Sequence, residues 1–448
     1  MSTSSSREQL DPAWLVGQRW FRAKTRQIED VRIADEIPVA NAGAIVIVRV
    51  HYAERDSDLY QLPPLSQQAF RRALLEAIQS GATLAGNAGE LIASPIVPFT
   101  PGDFESSVSG AEQSNTSIIY GDQFILKLFR KLEPGVNPDL EIGRFLTEHG
   151  FRHTPAVFGS LEYRATNGEP YTAGILQQFV PNRGDAWKFT LEELAAFFSR
   201  DTPDVGSYAR SAELLGRRTA EMHAALASDD TDPAFAPEPF TLADAAEIER
   251  DMIAQADITF NLLRRSETRL DGATGEMARP AVALEPAVRE RLHAVRTHHI
   301  DTPRIRLHGD FHLGQVLHTG DDFVIIDFEG EPARALSERR GKGLALRDVA
   351  GMLRSFSYAA AAAQRAHPQS TQSLQSKAAS WTAEVTDLYL RSYFESAANS
   401  AFTPPIESRR VFLDAFVLQK ALYEIAYELN NRPDWVEIPL RGVLELIR

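Results

Sequence analysis

A short β interval embedded in a long helical half constrains this chain most. From residue 181 onward, apolar residues recur at helical spacing over 191–198, 208–226, 242–265, 376–396 and 408–430. That is the period of amphipathic helices burying one face. Two runs, 304–307 and 323–326, break the pattern and read as strands. The first leads directly into His308-Gly309-Asp310 and the second into Asp327-Phe328-Glu329. Acidic residues held at strand ends by a rigid scaffold are where chemistry concentrates.

The preceding half reads as α/β. Residues 11–94 mix β-type runs at 31–33 and 45–50 with one helical stretch, 65–79, and form a candidate separate small domain. Pro95, Pro98, Pro101 and Gly102 then punctuate the chain, which places a boundary near residue 95. Beyond it, 116–120 and 123–129 read as strands around a Gly121-Asp122 turn. Asn137 is a good helix N-cap and Pro138 suits the first helical turn. Further strands fit 156–162 and 174–179, and 229–239 reads as a loop. The expected division is a disordered Ser-rich tail (1–10), a small domain (11–95), an α/β lobe (96–180) and a mainly helical lobe (181–448).

Composition narrows the function classes. The 61 Asp and Glu against 47 Lys and Arg leave a formal charge of −14, which repels phosphate backbones and disfavours nucleic acid or an anionic membrane as partner. The absence of cysteine excludes disulfides, zinc-thiolate sites and cysteine nucleophiles, and is compatible with a reducing compartment. No apolar run approaches bilayer-spanning length, and the polar N-terminus lacks the apolar stretch of a secretory signal. The expectation is a soluble, cytoplasmic protein.

Phosphoryl transfer needs a cation on the nucleotide phosphates, oxygen ligands on magnesium and a base near the acceptor hydroxyl. Each has a candidate. Lys127 lies in the apolar run 124–129, where a buried ammonium needs an anionic partner. Glu141, in the helix starting at Pro138, is the expected one. The competing reading has Lys127 snorkelling to solvent from an edge strand. Asp310 is the candidate base. Gln315, five residues on, and Asp327, at the end of the next strand, are candidate magnesium ligands, with Glu329 as a second metal ligand or a support for the loop. Competing readings make the aspartates turn residues, or His308 and His312 a zinc pair. The combination of Lys127, Asp310 with Gln315, and Asp327 is more specific than any member. The expected phosphate loop, 106–117, is richer in hydroxyls than in glycine, and Ser114, Asn115, Thr116 and Ser117 are its candidate phosphate contacts.

On these residues the chain resembles the maltokinases, a branch of the aminoglycoside-phosphotransferase-like kinases. The match is dense over 308–317, 326–332, 346–356 and 420–440, and extends to Trp20-Phe21-Arg22, 112–117 and 126–129. The resemblance implies an α+β, bilobal protein-kinase-like fold with an additional N-terminal cap domain. It implies ATP and Mg²⁺ as cofactors, with Asp310 as base and Gln315 and Asp327 on the metal. It also implies a hinge at Gln178, Phe179 and Val180 that meets adenine, and a structural role for Asp348. The late helix carries Tyr423, Glu424, Tyr427 and Glu428, paired four apart on helical faces, followed by Arg432 and Trp435. Hydroxyl-binding groups and aromatic plates of this kind suit a sugar. With His308 and Asp310 they are the candidate acceptor contacts, while the apolar positions between them pack as core.

The resemblance thus implies an ATP-dependent kinase acting on the anomeric hydroxyl of maltose to give maltose 1-phosphate in α-glucan and glycogen metabolism. The alternatives are a glucosamine, other amino-sugar or aminoglycoside kinase, and a pseudokinase that binds nucleotide or sugar without turnover. Some related kinases are fused to a trehalose-converting enzyme, so the resemblance also implies association with one.

Overall fold

The computed structural model describes residues 10–447 apart from 101, 103, 111–113, 201–203, 267–269, 271, 299 and 368–371. The expected tail, up to residue 9, and Gly110's neighbours Ala111, Glu112 and Gln113 in the expected phosphate loop lie outside the described residues. The chain forms two compact units, 1–181 with 332–339, and 182–331 with 340–448. Among the described residues, no helix is long and apolar enough to cross a membrane.

The first unit is built on two antiparallel sheets. Strands β1 (Ile28–Pro38), β2 (Ala44–Tyr52), β3 (Ser57–Leu62) and β9 (Lys131–Leu132) form one, in the order β1-β2-β3-β9. The other has seven strands in the order β4-β5-β10-β11-β8-β7-β6. These are β4 (Thr83–Ala85), β5 (Gly89–Pro95), β6 (Ser106–Val108), β7 (Asn115–Tyr120), β8 (Phe124–Phe129), β10 (Val157–Ala165) and β11 (Pro170–Gln178). Helices α1 (Pro12–Gly17), α2 (Gln68–Ser80) and α3 (Pro138–Glu148) complete the unit, with a single turn at Leu336–Arg339. Helix α2 stops at Gly81, whose φ of 66° is the left-handed conformation glycine adopts freely. The hairpin of β7 and β8 turns at Gly121, with φ 55°, where the Gly-Asp pair signals a turn.

Residues 11–95, read from sequence as a separate small domain, take part in both sheets. β3 pairs with β9, and β5 pairs along its length with β10. The Pro-rich stretch after 95 is therefore a connection within one unit. The backbone hydrogen bonds that unite these segments come from residues distant in sequence, which local composition does not record.

One buried carboxylate ties this unit together. A register shift between Ile33 and Asp35 in β1 turns Asp35 inward, where it is 2% exposed. It accepts the backbone N–H groups of Glu36, Asn87 and Ala88 at 2.8, 2.7 and 2.9 Å and the Tyr163 hydroxyl at 3.1 Å. The β4–β5 turn is thus anchored to β1 and β10 through one side chain.

The second unit is mainly helical: α4 (Ala186–Phe198), α5 (Tyr208–Leu226), α6 (Leu242–Ser266), α7 (Gly272–Ala283), α8 (Glu285–Thr297), α9 (Leu346–Ala366), α10 (Gln372–Ser396), α11 (Ile406–Asn431) and α12 (Glu437–Ile447). Between α8 and α9 lies the short hairpin of β12 (Val316–His318) and β13 (Phe323–Ile325). The run at 304–307 does not form the expected strand. Arg304 and Ile305 make only isolated bridges, to Glu238 and Gly343. Gly216 of α5 shows how closely the helices pack, since a Cβ there would lie 2.3 Å from the backbone oxygen of Tyr389.

Replacing Asp35 by Ala strands three part-buried amides and a buried hydroxyl. Chemical denaturation of the variant should show a loss of about 2–4 kcal/mol in the transition of this unit.

Candidate active site

The acidic loop after residue 307 is held from below by α9. Asp348, in its first turn and 2% exposed, accepts the backbone N–H of His308 at 2.8 Å, that of Gly309 at 3.0 Å and His223 Nε2 of α5 at 3.2 Å. His223 is oriented in turn by the Tyr393 hydroxyl, 2.9 Å from Nδ1. Burial opposes ionisation of Asp348, but the hydrogen bond from His223 and the amides hold its pKa below the usual value. One and two helical turns on, the same face gives Gly351, where a Cβ would sit 2.5 Å from Phe311 O, and Ser355, whose hydroxyl accepts Leu313 N–H at 3.1 Å. A single helix face therefore fixes 308–313.

His308 completes the loop from inside. It is 1% exposed, its Nδ1 accepts the Asp310 N–H at 3.4 Å, and its Nε2 donates to Ile326 O at 3.0 Å. With both ring nitrogens used, it links the Asp310 loop to the Asp327 loop. This corrects its assignment as a substrate contact and removes the zinc-pair reading, since neither nitrogen is turned outward to a metal. Ile326 N–H also donates to Gln315 O at 3.0 Å, so Gln315 and Asp327 are joined through one residue. Asp327 has a φ of 67°, a conformation costly for a residue with a side chain and typical of functional positions. Gly309 and Gly330, both at positive φ, meet where the two loops cross, and a Cβ on Gly309 would lie 3.2 Å from Gly330 Cα.

Asp310 itself is half-buried. Burial would raise its pKa, but the charge of Lys420, together with His312 and His308, lowers it below the usual carboxylate value. Lys420 Nζ of α11 lies 3.0 Å from Asp310 Oδ1 and 3.3 Å from Glu331 Oε1. Burial depresses the Lys420 ammonium, and the two carboxylates more than offset this and raise it. The pKa of His312, 3.9 Å from Asp310, is lowered, chiefly by burial.

Further along α11, the expected acceptor residues split into two groups. Glu424 is bound by Arg354 of α9, with Nη2 at 2.6 Å and Nε at 3.2 Å. Glu428, 2% exposed, takes the Tyr358 hydroxyl and Arg432 Nη2, the latter at 2.6 Å. Both carboxylates are thus committed within the unit. The aromatic groups are more open. Tyr427 is 45% exposed and stacks with Tyr423 at 6.4 Å, and Trp435 stacks on Tyr358 at 6.2 Å with an interplanar angle of 5°. Arg432 lies 5.1 Å from the Trp435 ring.

In the first unit, β8 buries Lys127, whose Nζ pairs with Asp139 at 2.9 Å. One buried partner is Asp139, two residues before the expected Glu141. The Asn137 cap, whose side chain accepts Asp139 N–H at 2.9 Å, sets the register that brings Asp139 to Lys127. Glu141 lies half-buried one step on in α3. This removes the reading of Lys127 as a solvent-directed edge lysine. Asn115, Thr116 and Ser117 belong to β7, not to a loop. Thr116 Oγ1 accepts Arg130 Nε at 2.8 Å, which commits that hydroxyl within the unit; Ser117 is fully buried opposite Lys127, and Ser114, just before the strand, and Asn115 are half-buried. In the hinge segment, the amides of Gln178 and Phe179 donate to Ala156 O and Gln123 O, both at 2.8 Å. They are internally committed, and Val180 follows them half-buried.

Residues 105–371 match the phosphotransferase enzyme family, and residues 14–90 match the maltokinase N-terminal cap domain. The chain belongs to the phosphotransferase enzyme family. Curated relatives of this phosphotransferase include a glucosamine kinase of Mycolicibacterium smegmatis, strain ATCC 700084 / mc(2)155, 26% identical over 337 residues, 73% of this chain and 76% of the relative. Another is a glucosamine kinase of Streptacidiphilus jiangxiensis, 25% identical over 340 residues, 75% of this chain and 72% of the relative. Among solved structures, a glucosamine kinase in complex with glucosamine, ADP and inorganic phosphate superposes with a TM-score of 0.70 at 21% identity, covering 98% of this chain and 97% of the other. The expected maltokinase-like, aminoglycoside-phosphotransferase-like α+β fold with an N-terminal cap is thereby borne out.

Sequence reasoning missed Lys420, Glu331, Arg354 and Tyr358. Their signal was present. Lys420 precedes Tyr423 by one helical turn, and Arg347, Arg354 and Tyr358 share a face of α9 at helical spacing, reaching Glu331, Glu424 and Glu428.

Replacing Asp348 by Ala leaves the His308 and Gly309 amides and His223 without their acceptor. Loop displacement on the order of 1 Å costs about 10²-fold in rate, so steady-state assays should show kcat falling at least that far.

Proposed function

We propose that this phosphotransferase is an ATP- and magnesium-dependent sugar kinase that phosphorylates the anomeric hydroxyl of maltose to give maltose 1-phosphate. The observation that carries the acceptor assignment is the neutralisation of Glu424 by Arg354 and of Glu428 by Arg432 and Tyr358. A cationic amino sugar calls for an uncompensated carboxylate. Glu424 and Glu428, the two acidic candidates on α11, already carry internal partners, whereas the stacked aromatic pairs and Arg432 suit a neutral, polyhydroxylated ligand. The match to the maltokinase cap supports the same acceptor.

In this mechanism Asp310, kept ionised by Lys420, accepts the proton of the acceptor hydroxyl as that oxygen bonds to the γ-phosphorus and the bond from the γ-phosphorus to the β–γ bridging oxygen breaks, releasing ADP. Lys127, steadied by Asp139, meets the phosphate oxygens and offsets developing charge. Gln315, Asp327 and Glu329 offer hard oxygen donors, and Asp327 takes a left-handed backbone just after β13, a set that fits magnesium and not a softer metal. Magnesium held there supplies charge neutralisation on the nucleotide phosphates.

A glucosamine acceptor is the second reading, favoured by the names of the relatives. Competition of maltose and glucosamine for ATP, with identification of the products, separates them. The expected result is maltose 1-phosphate, with kcat/KM for maltose exceeding that for glucosamine by about 10²-fold or more. Phosphorylated glucosamine as the main product overturns the assignment.

A further inference from the structure

The Trp20-Phe21-Arg22 segment has no part in the chemistry above, and Arg130 explains what it does. Arg130 follows β8 directly and is 9% exposed, yet among the described residues no carboxylate pairs with it. Burial lowers its pKa to about 10, so it remains a cation at neutral pH. A buried cation without a counter-ion is costly and persists only where other groups replace its hydration.

Those groups come from two places. From the cap-matching segment, Trp20, 8% exposed, presents its ring 5.2 Å from the Arg130 guanidinium, and Gln61 O of β3 accepts Nη1 at 3.3 Å. From the strand after the expected phosphate loop, Thr116 Oγ1 accepts Nε at 2.8 Å. Gln61 tightens the same junction. Its N–H donates to Arg130 O at 2.9 Å, and its Nε2 donates to Phe129 O at 2.7 Å and Ala173 O at 2.5 Å. Trp20 is itself packed against Phe21 and Tyr60, at 6.4 and 5.9 Å between ring centres.

Strand alternation gives the consequence. Leu126 and Leu128 share one face of β8 and Lys127 points to the other, while Arg130, just past the strand, reaches Thr116, the partner of Leu128. In the β7–β8 register, Thr116 lies opposite Leu128 and Ser117 opposite Lys127. The cap-matching segment therefore grips β7 and β8 on the face opposite Lys127, at the residues beside it.

We propose that Arg130 is a positioning residue through which Trp20 and Gln61 of the cap-matching segment fix β7 and β8, and with them the nucleotide-binding groups on the other face. This rests on the reading of Lys127 as the phosphate-binding lysine. It gives the cap segment a function in nucleotide affinity.

The experiment is titration of the full-length protein with MgADP, which needs no knowledge of the acceptor, accompanied by melting temperature. Trp20→Leu and Thr116→Val should each weaken MgADP about tenfold, and Trp20→Phe, which keeps an aromatic face, should stay within about threefold of wild type. In turnover assays the same variants should raise KM for ATP and leave that for the acceptor unchanged. Thr116→Val preserves side-chain shape and carries the test if Trp20→Leu does not fold. Lys127→Met is the control for the underlying reading. If Lys127→Met also leaves MgADP affinity unchanged, the nucleotide assignment of β8 fails. If it weakens binding while Trp20→Leu and Thr116→Val only lower the melting temperature, the proposal is overturned and the site stands. Equal weakening by Trp20→Leu and Trp20→Phe also overturns it, because the aromatic face would then be irrelevant.

Discussion

The carboxylate of Asp348 is the interaction on which the arrangement of the acidic loop depends. It takes two consecutive backbone amides and a buried histidine, so the loop carrying Asp310 is fixed by its main chain and not by its own reactive side chain. That separation matters physically. A base tied down by both carboxylate oxygens would be unavailable to a substrate, whereas here the backbone anchors fix the loop and Lys420 holds only Oδ1. His308 then passes the constraint on to Ile326 and so to the position of Asp327. The two loops are held as one piece by a side chain that never reaches the surface.

Charge compensation is the second theme. Lys127 has Asp139, Asp310 and Glu331 share Lys420, Glu424 has Arg354, and Glu428 has Arg432. A chain of net charge −14 thus keeps Glu424 and Glu428 of its candidate acceptor region locally balanced. Binding an uncharged acceptor there displaces no counter-ion, while binding a cation competes with built-in ones.

Much of this was visible in the residues themselves, for identifiable reasons. Helix α5 was read with its observed limits because one strong period dominates it. The Asn137-Pro138 start of α3 and the Gly121-Asp122 turn were read because caps and turns have local chemistry. Helix α7 was missed because Pro280 sits inside it and weakens the local signal. The 304–307 run looked like a strand from its apolar residues but has only single bridges on either side, since its neighbours are too short to make a ladder. The pairing of Lys127 with Asp139 could not be separated from pairing with Glu141 by spacing alone, because both lie in the first turn of one helix. His308 looked like a site residue from its neighbourhood, and only three-dimensional burial shows that both its nitrogens are committed. Helical spacing marks the face that carries Lys420, but its partnership with Asp310, 110 residues away, is not encoded locally.

The central claim is that Asp310 acts as the base in direct phosphoryl transfer to an acceptor hydroxyl. Its most direct test is Asp310→Asn, which preserves size and the loop's backbone anchors while removing basicity. Phosphorus NMR of the variant with MgATP and acceptor should show turnover reduced by about 10³-fold or more, with MgADP affinity within about threefold of wild type. Turnover close to wild type would contradict the account.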